Sequence, residues 1–169
     1  SGWAEQSVGG AFDVVGGGTP DTAVESHWDG DVPWISSADI SDRGVIVFRK
    51  HISEGALKAS AANRVPEGSV IVVTRVGLGK VARAPRDMAF SQDCQALLPI
   101  AGIDTEFLRL QLSTTARGLR AVSRGTTIGG VTKKQLLEMT VLVSPTAEQT
   151  RIVAAIEEQI SRLDAGAAA

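Results

Sequence analysis

The sequence contains few of the residues from which metal and thiol sites are built, with one cysteine and two histidines in 169 residues. Cys94 has no partner for an internal disulfide, which suits a reducing compartment, and its apolar neighbours predict a buried structural thiol. His27 and His51 lie far apart, and no second cysteine is available for zinc. We therefore expect neither a metal nor a cofactor on this chain.

Other absences exclude whole classes of protein. No uncharged apolar run approaches the roughly 18 residues of a membrane span, and the first residues lack the basic and apolar regions of a signal peptide. No Gly-x-Ser-x-Gly elbow is present, and Gly77-Leu78-Gly79-Lys80 lacks the spacing and the hydroxyl residue of a phosphate loop. The acidic residues 29, 31, 39 and 42 lie among turn residues, which favours turns over a nuclease metal site. We expect a cytoplasmic protein, and a Ser-His-Asp arrangement that only the fold would bring together stays open.

Positive charge is missing from the first 42 residues, which contain eight acidic side chains and no Lys or Arg. Residues 43–134 instead contain 15 Lys or Arg and six acidic residues, and residues 135–169 contain two Arg and five acidic residues. A net charge of −2 would not suggest a nucleic-acid partner. The segregation, however, allows a basic face on one side of the fold, with separately solvated charges as the alternative.

The first hundred residues predict strands and loops, because short β-branched runs alternate with Gly, Pro and Asp. The second half predicts helices. We expect an α/β (α+β) domain with a curved, mostly antiparallel sheet and flanking helices. The three tryptophans are expected to pack under the sheet. The predicted strands are 11–15, 32–35, 44–48, 69–74, 80–84 and 95–98.

Three helices are predicted from their capping residues and apolar spacing. The first begins near Asp104 or Thr105, with Gly118 marking a bend or an end. The second opens at the capping box that begins at Thr132, and the third at a similar box that begins at Thr146. In the third helix, a short coiled-coil seam is formed by Val153, Ile156, Ile160 and Leu163. A helix this short needs a partner surface, which is either another protein or its own domain.

Two segments have the composition of phosphate-binding loops. Arg75 and Lys80 flank Gly77 and Gly79 directly after an apolar run, so a hairpin turn would present two cations and free backbone amides. Residues 123–134 combine glycines, hydroxyl residues and three cations before a helix N-terminus. Ordinary glycine turns with solvated charges are the alternative for both segments.

Seven segments in register across about 150 residues resemble the target-recognition domain of type I restriction-modification specificity subunits. Each is weak alone, but together they are specific. They are 17–20 (GGTP), 28–40 (WDGDVPWISSADI), 52–60 (ISEGALKAS), 65–69 (VPEGS), 74–80 (matching at Thr74-Arg75, Gly77 and Gly79-Lys80), 125–131 (GTTIGGV) and 148–153 (matching at Glu148-Gln149 and Arg151-Ile152-Val153).

The resemblance implies a sequence-specific DNA-binding subunit without catalytic activity. Each recognition domain in the family binds one half of a bipartite site on double-stranded DNA, and the subunit directs a methyltransferase (modification) subunit and a restriction/translocase subunit. S-adenosylmethionine, ATP and Mg²⁺ would belong to those partners. Residues 1–145 would form the recognition domain and residues 146–169 the start of a spacer or dimerisation helix, so the chain resembles a fragment or a half-subunit that pairs with a second recognition domain or a second copy.

Candidate DNA contacts fall into two groups. We expect base edges to be met by a set of amide, hydroxyl and carboxylate side chains. Phosphates would be met by cations and by the hairpin glycines, Gly77 and Gly79. The first set is Ser36, Ser37, Asp39, Gln92, Thr126 and Thr127. The second set of side chains is Arg75, Lys80, Arg124, Lys133 and Lys134.

The same C-terminal helix supports a different hypothesis. Its seam could be the entire functional surface of a protein-interaction module that makes no contact with DNA. Salt-sensitive binding to duplex DNA would distinguish the two hypotheses.

Overall fold

The computed structural model describes residues 2–123 and 130–169, which contain both strands and helices in a mixed α/β arrangement. The prediction of mixed α/β structure with antiparallel pairing is confirmed, although the strands divide among three sheets. The strands are β1 (Ala4–Ser7), β2 (Val14–Gly16), β3 (Val32–Ile35), β4 (Lys50–Ile52), β5 (Val70–Val73), β6 (Val81–Arg83), β7 (Ala89–Phe90), β8 (Cys94–Leu97) and β9 (Thr140–Val143). The helices are α1 (Val8–Ala11), α2 (Glu54–Ala59), α3 (Thr105–Ser123), α4 (Lys133–Glu138) and α5 (Thr146–Ala167).

A four-stranded antiparallel sheet in the order β2-β8-β5-β6 forms the centre of the domain. Strand β5 is apolar throughout because both of its faces are covered. Val70 and Val72 pack with residues of α1, α3 and α4, whereas Ile71 and Val73 pack against the second sheet. The sheet therefore lies between a helical layer and a second β layer.

The second sheet has the order β4-β3-β7 and contains the parallel pair β3–β7. Ile35 and Phe90 face the central sheet, while Trp34 faces α2 on the other side. Trp34 is buried as predicted, and its indole N–H donates to the carbonyl of Gly18 over 3.0 Å. Trp28 meets it edge to face and is only partly buried, and Trp3 is 38% exposed. The prediction for the tryptophans thus holds fully for Trp34 alone.

The short pair β1–β9 joins the two ends of the chain. Helix α5 follows β9 after two residues, Ser144 and Pro145, and is 22 residues long, or about 33 Å. Within residues 2–123 and 130–169, no helix has the length and apolar character needed to cross a membrane.

The strand predicted over residues 44–48 does not form. Gly44 has a φ of 78°, and the Ser41 and Val47 amides donate to Val45 and Asp39 instead of to a neighbouring strand. Among the described residues, this segment makes one β pairing, an isolated bridge between Ile40 and Ile46. The apolar residues of the segment therefore form a local hairpin-like loop.

Two helix predictions need correction, and one is confirmed. Gly118 does not end α3, which continues to Ser123. The capping box expected at Thr146 is absent because Pro145 is the N-cap and the Gln149 side chain points into the domain. The box of Thr132 and Gln135 at the start of α4 is present with both of its hydrogen bonds.

Candidate nucleic-acid interface

A polar cleft of about 500 Å³ opens where three segments of the fold meet. The segments are the end of β5, the turn between β7 and β8, and the residues that lead into α4. Three of the residues predicted from sequence to bind DNA meet here, namely Arg75, Gln92 and Lys133. Among the described residues, the lining consists of Thr74, Arg75, Gln92, Gln95, Gly130, Val131, Thr132 and Lys133.

Gly130 fixes one wall of the cleft. Its φ is 116°, and a Cβ placed there would lie 2.2 Å from the Thr74 carbonyl oxygen, so the position requires glycine. The next amide, of Val131, donates to that same carbonyl over 2.7 Å. Because Thr132 then caps α4, Lys133 becomes the first helical residue and lies beside Arg75 at the rim.

Gln92 is held on the opposite wall by the loop after β2. Gly18 donates its N–H to the Phe90 carbonyl over 3.0 Å, and a Cβ on Gly17 would lie 2.2 Å from the Ser91 carbonyl oxygen. This close approach brings Thr19 to Gln92, where its hydroxyl donates to Gln92 Oε1. The side-chain oxygen of Gln92 therefore accepts a hydrogen bond from Thr19, and Nε2 of the same amide remains available as a donor.

The electrostatics of the cleft favour an anion. Arg75 and Lys133 make no ion pair among the described residues, and no carboxylate belongs to the lining. Two other cavities differ, since Asp29 lines one beside Trp28 and three acidic residues line one beside α5. No group of three or more metal-ligating side chains occurs in the described ranges. Phosphate binding is therefore the chemistry that this cleft suits best.

The predicted glycine hairpin is present between β5 and β6. Gly77 and Gly79 have φ values of 91° and 107°, and Leu78 donates its amide to Arg75 over 2.9 Å. Arg75 is exposed at the start of the turn. The Lys80 side chain instead reaches the segment that follows β3, where its Nζ lies 3.5 Å from the Ser37 carbonyl oxygen. The hairpin thus connects the cleft to the segment that follows β3.

Ser36, Ser37 and Asp39 lie at the edge where β3 and β7 end together. The parallel pairing of Ile35 with Phe90 places this segment near the turn that contains Gln92. Ser37 and Asp39 are buried, and Asp39 accepts from the Ser36 amide and lies 3.5 Å from Arg49. These side chains therefore support the local turn, and Ser36 is the most accessible of the three.

Lys134 is not among the residues that line the cleft. Lys134 is exposed, with Nζ 3.9 Å from Glu138 on the same helix. Arg124, Thr126 and Thr127 lie outside the described residues. Their proposed roles stay predictions.

Two residues that the fold brings to the site are absent from the candidates predicted from sequence. Thr19 orients Gln92, and Gln95 extends from β8 into the cleft. For Gln95 a signal exists in the sequence, because it is a polar residue between Cys94 and Ala96 in an otherwise apolar strand. For Thr19 no local signal exists, since 73 positions separate it from its partner.

The burial of the predicted seam of α5 decreases along the helix. Val153 and Ile156 are buried or partly buried against the domain, whereas Ile160 is 40% exposed and Leu163 is 71% exposed. Near the exposed end, Arg43 donates two hydrogen bonds, of 2.9 and 3.1 Å, to Asp164. This bond holds the pKa of the Asp164 carboxyl below its ordinary value. The helix therefore contacts the rest of the domain near both of its ends, and two of its apolar side chains are left exposed.

Curated relatives align with most of this chain. It is 26% identical over 155 residues to the type I restriction enzyme MjaIX specificity subunit of Methanocaldococcus jannaschii, covering 89% of this chain and 36% of the relative. It is 28% identical over 150 residues to the EcoR124I/EcoR124II specificity subunit of Escherichia coli, covering 85% and 37%. The chain spans little more than a third of the length of these relatives.

Solved structures share the fold. A chain from a structural study of complex assembly in the type I R-M system superposes with a TM-score of 0.78 at 23% identity, covering 99% of this chain and 41% of that one. The HsdS subunit of Thermoanaerobacter tengcongensis gives a TM-score of 0.76 at 21% identity, covering 97% and 38%.

The family model described as type I restriction modification DNA specificity domain matches residues 1–166. That match includes the cleft, the glycine hairpin and nearly all of α5. The chain therefore belongs to the family of type I restriction modification DNA specificity domains.

Proposed function

We propose that this chain is a target-recognition domain that binds one half of a bipartite, asymmetric site on double-stranded DNA and performs no catalytic step itself. The observation that carries the proposal is the cleft lined by two glutamine amides and by two cations, Arg75 and Lys133, which make no ion pair within residues 2–123 and 130–169, with no carboxylate in the described lining. Family membership supports the same function.

The side chains of the cleft suit two different roles in DNA binding, phosphate contact and base recognition. Cations position a duplex through its phosphates but carry no sequence information, whereas amide side chains discriminate among base edges. Arg75 and Lys133 would hold the backbone at the cleft. Gln92 and Gln95, which line the same cleft, would face the bases.

The proposal extends to protein partners because the aligned relatives are named as specificity subunits of type I restriction enzymes. Helix α5 would dock a methyltransferase subunit, or pair with a second recognition domain or a second copy, through Ile160 and Leu163. A restriction/translocase subunit would complete the enzyme. S-adenosylmethionine, ATP and Mg²⁺ would act on those partners, in the cytoplasm of a bacterium or archaeon.

A titration of duplex DNA at about 50 and 200 mM salt tests the proposal. Each phosphate contact contributes about 0.9 to the slope of log K against log salt, so the two cleft cations, Arg75 and Lys133, predict a loss of roughly twelvefold in affinity over this range. Binding that weakens in this way, and that tightens when the methyltransferase subunit is added, is the expected result.

The interaction-module hypothesis makes the opposite prediction. A module that acts through α5 alone would bind its protein partner and show no salt-sensitive affinity for DNA. Absence of DNA binding at both salt concentrations, with and without the methyltransferase subunit, would replace the proposed function with that alternative.

A further inference from the structure

Gln95 occupies a position where the fold would otherwise place an apolar side chain. In the central sheet its register neighbours are Gly16 on β2 and Val72 on β5, and Val72 in turn pairs with Val81. Val72 and Val81 are almost fully buried on the face that α3 covers. Opposite residues on adjacent antiparallel strands share a face, so Gln95 continues this apolar row to the point where the cleft opens.

The amide of Gln95 has no hydrogen-bond partner in the part of the chain that the structure describes, although its Oε1 is buried. The side chains of Gln92 and Gln149 differ from it. Gln92 is held by Thr19, and the buried amide of Gln149 has three backbone partners. Buried amides in folded proteins are almost always paired, so an unpaired one that lines a cleft indicates a partner from outside the chain.

The cleft that Gln95 lines provides the space for that partner, and a glycine lies across from the amide. Gly16 lies directly across from Gln95, and even a Cβ added there would come no closer than 3.5 Å to the Gln95 amide. The last torsion of a glutamine side chain is broad and roughly two-fold, so the amide can turn and present its oxygen and its nitrogen to the cleft in either order.

The ligand chemistry follows from these two groups. A carboxamide offers one acceptor and one donor side by side, and in the major groove adenine alone presents the matching pair, the N6 amino donor and the N7 acceptor. Cytosine presents only a donor there, and guanine two acceptors. Resting on the proposed function, we propose that Gln95 is a specificity-determining residue that recognises an adenine, while Arg75 and Lys133 hold the phosphates beside it.

The test is a selection of bound sequences from randomised DNA duplexes by the full 169-residue chain at about 50 mM salt. Gln95→Met removes both polar groups and keeps the volume, so the apolar row is preserved. Gln95→Glu keeps acceptors and removes the donor, which matches the cytosine amino group. Gln159→Met, on the exposed surface of α5, makes the same chemical change away from the cleft.

The inference predicts that the parent chain and Gln159→Met select adenine at the same position. Gln95→Met should lose that preference by roughly five- to hundredfold with an unchanged salt slope, and Gln95→Glu should favour cytosine there. A parent chain that selects no sequence overturns the proposed function and this inference together. A selective parent whose preference survives both Gln95 variants overturns this inference alone.

Discussion

Gln149 Oε1 accepts a hydrogen bond of 2.7 Å from the backbone N–H of Asp104, which joins the first turn of α5 to the start of α3. The Nε2 of the same side chain donates to the Gly102 and Ser144 carbonyls over 2.9 and 2.7 Å. The side chain is fully buried. The direction in which α5 leaves the domain is therefore determined by one amide that contacts three separate parts of the backbone.

Replacing this amide should cost stability. Gln149→Ala would leave one backbone N–H and two carbonyls buried without their partner, which we expect to lower the free energy of unfolding by roughly 2–3 kcal/mol. Urea unfolding monitored by circular dichroism measures the change. Gln159→Ala, on the exposed face of the same helix, is the matched control and should alter stability by less than about 0.5 kcal/mol. Equal stability of the two variants would contradict the anchoring role.

Gly130 should control the cleft. Gly130→Ala would force a Cβ against the Thr74 carbonyl at a backbone conformation that L-residues rarely adopt, so the segment that leads to Lys133 would have to move. We expect weaker binding to all DNA sequences, measured by fluorescence anisotropy. Gly118→Ala, in α3 with open space around it, is the control and should bind like the parent. Parent-like binding by Gly130→Ala would show that this wall does not contribute.

The two halves of the α5 seam should behave differently. Val153→Ala removes a buried contact with the domain and should lower stability by about 1–3 kcal/mol. Leu163→Ala changes a side chain that is 71% exposed and should leave stability unchanged while weakening binding of a methyltransferase subunit. Thermal melts and pull-down with that subunit measure the two effects. The division would be wrong if Leu163→Ala destabilised the isolated chain as much as Val153→Ala.

Cys94 should be inert in the folded protein. Burial raises the pKa of its thiol to about 12, so at pH 8 the reactive thiolate is almost absent. We expect a thiol reagent such as dithionitrobenzoate to label the native chain slowly and to label it completely in urea. Rapid stoichiometric labelling without denaturant would contradict the buried position.

Local sequence predicted the elements whose signals are local. Strand β3 was predicted with its exact bounds, because its apolar run ends at turn residues on both sides. The α4 capping box and the glycine hairpin were also predicted, because each is defined by residues three or four positions apart. Arg75 and Lys133 were named as phosphate contacts from composition, and the fold places both at one cleft.

The missed features depend on distant contacts. Residues 44–48 have strand composition, but Gly44 and the bonds to Ser41 and Asp39 turn them into a loop. Gln149 fits a capping box by spacing, yet a buried set of backbone groups more than 40 residues away provides better partners. Gln95 becomes part of a cleft only when β5, β8 and the segment at Gly130 come together. No single stretch of sequence specifies that arrangement.

The central claim is that Arg75 and Lys133 hold DNA phosphates at the cleft. The most direct test compares the salt dependence of duplex binding for Arg75→Ala/Lys133→Ala with that for Arg151→Ala/Arg162→Ala, which removes two cations paired with Glu148 and Glu158 on α5. We expect the slope of log K against log salt to fall by about two for the cleft variant and to stay at the parent value for the control. An unchanged slope for the cleft variant would contradict the claim.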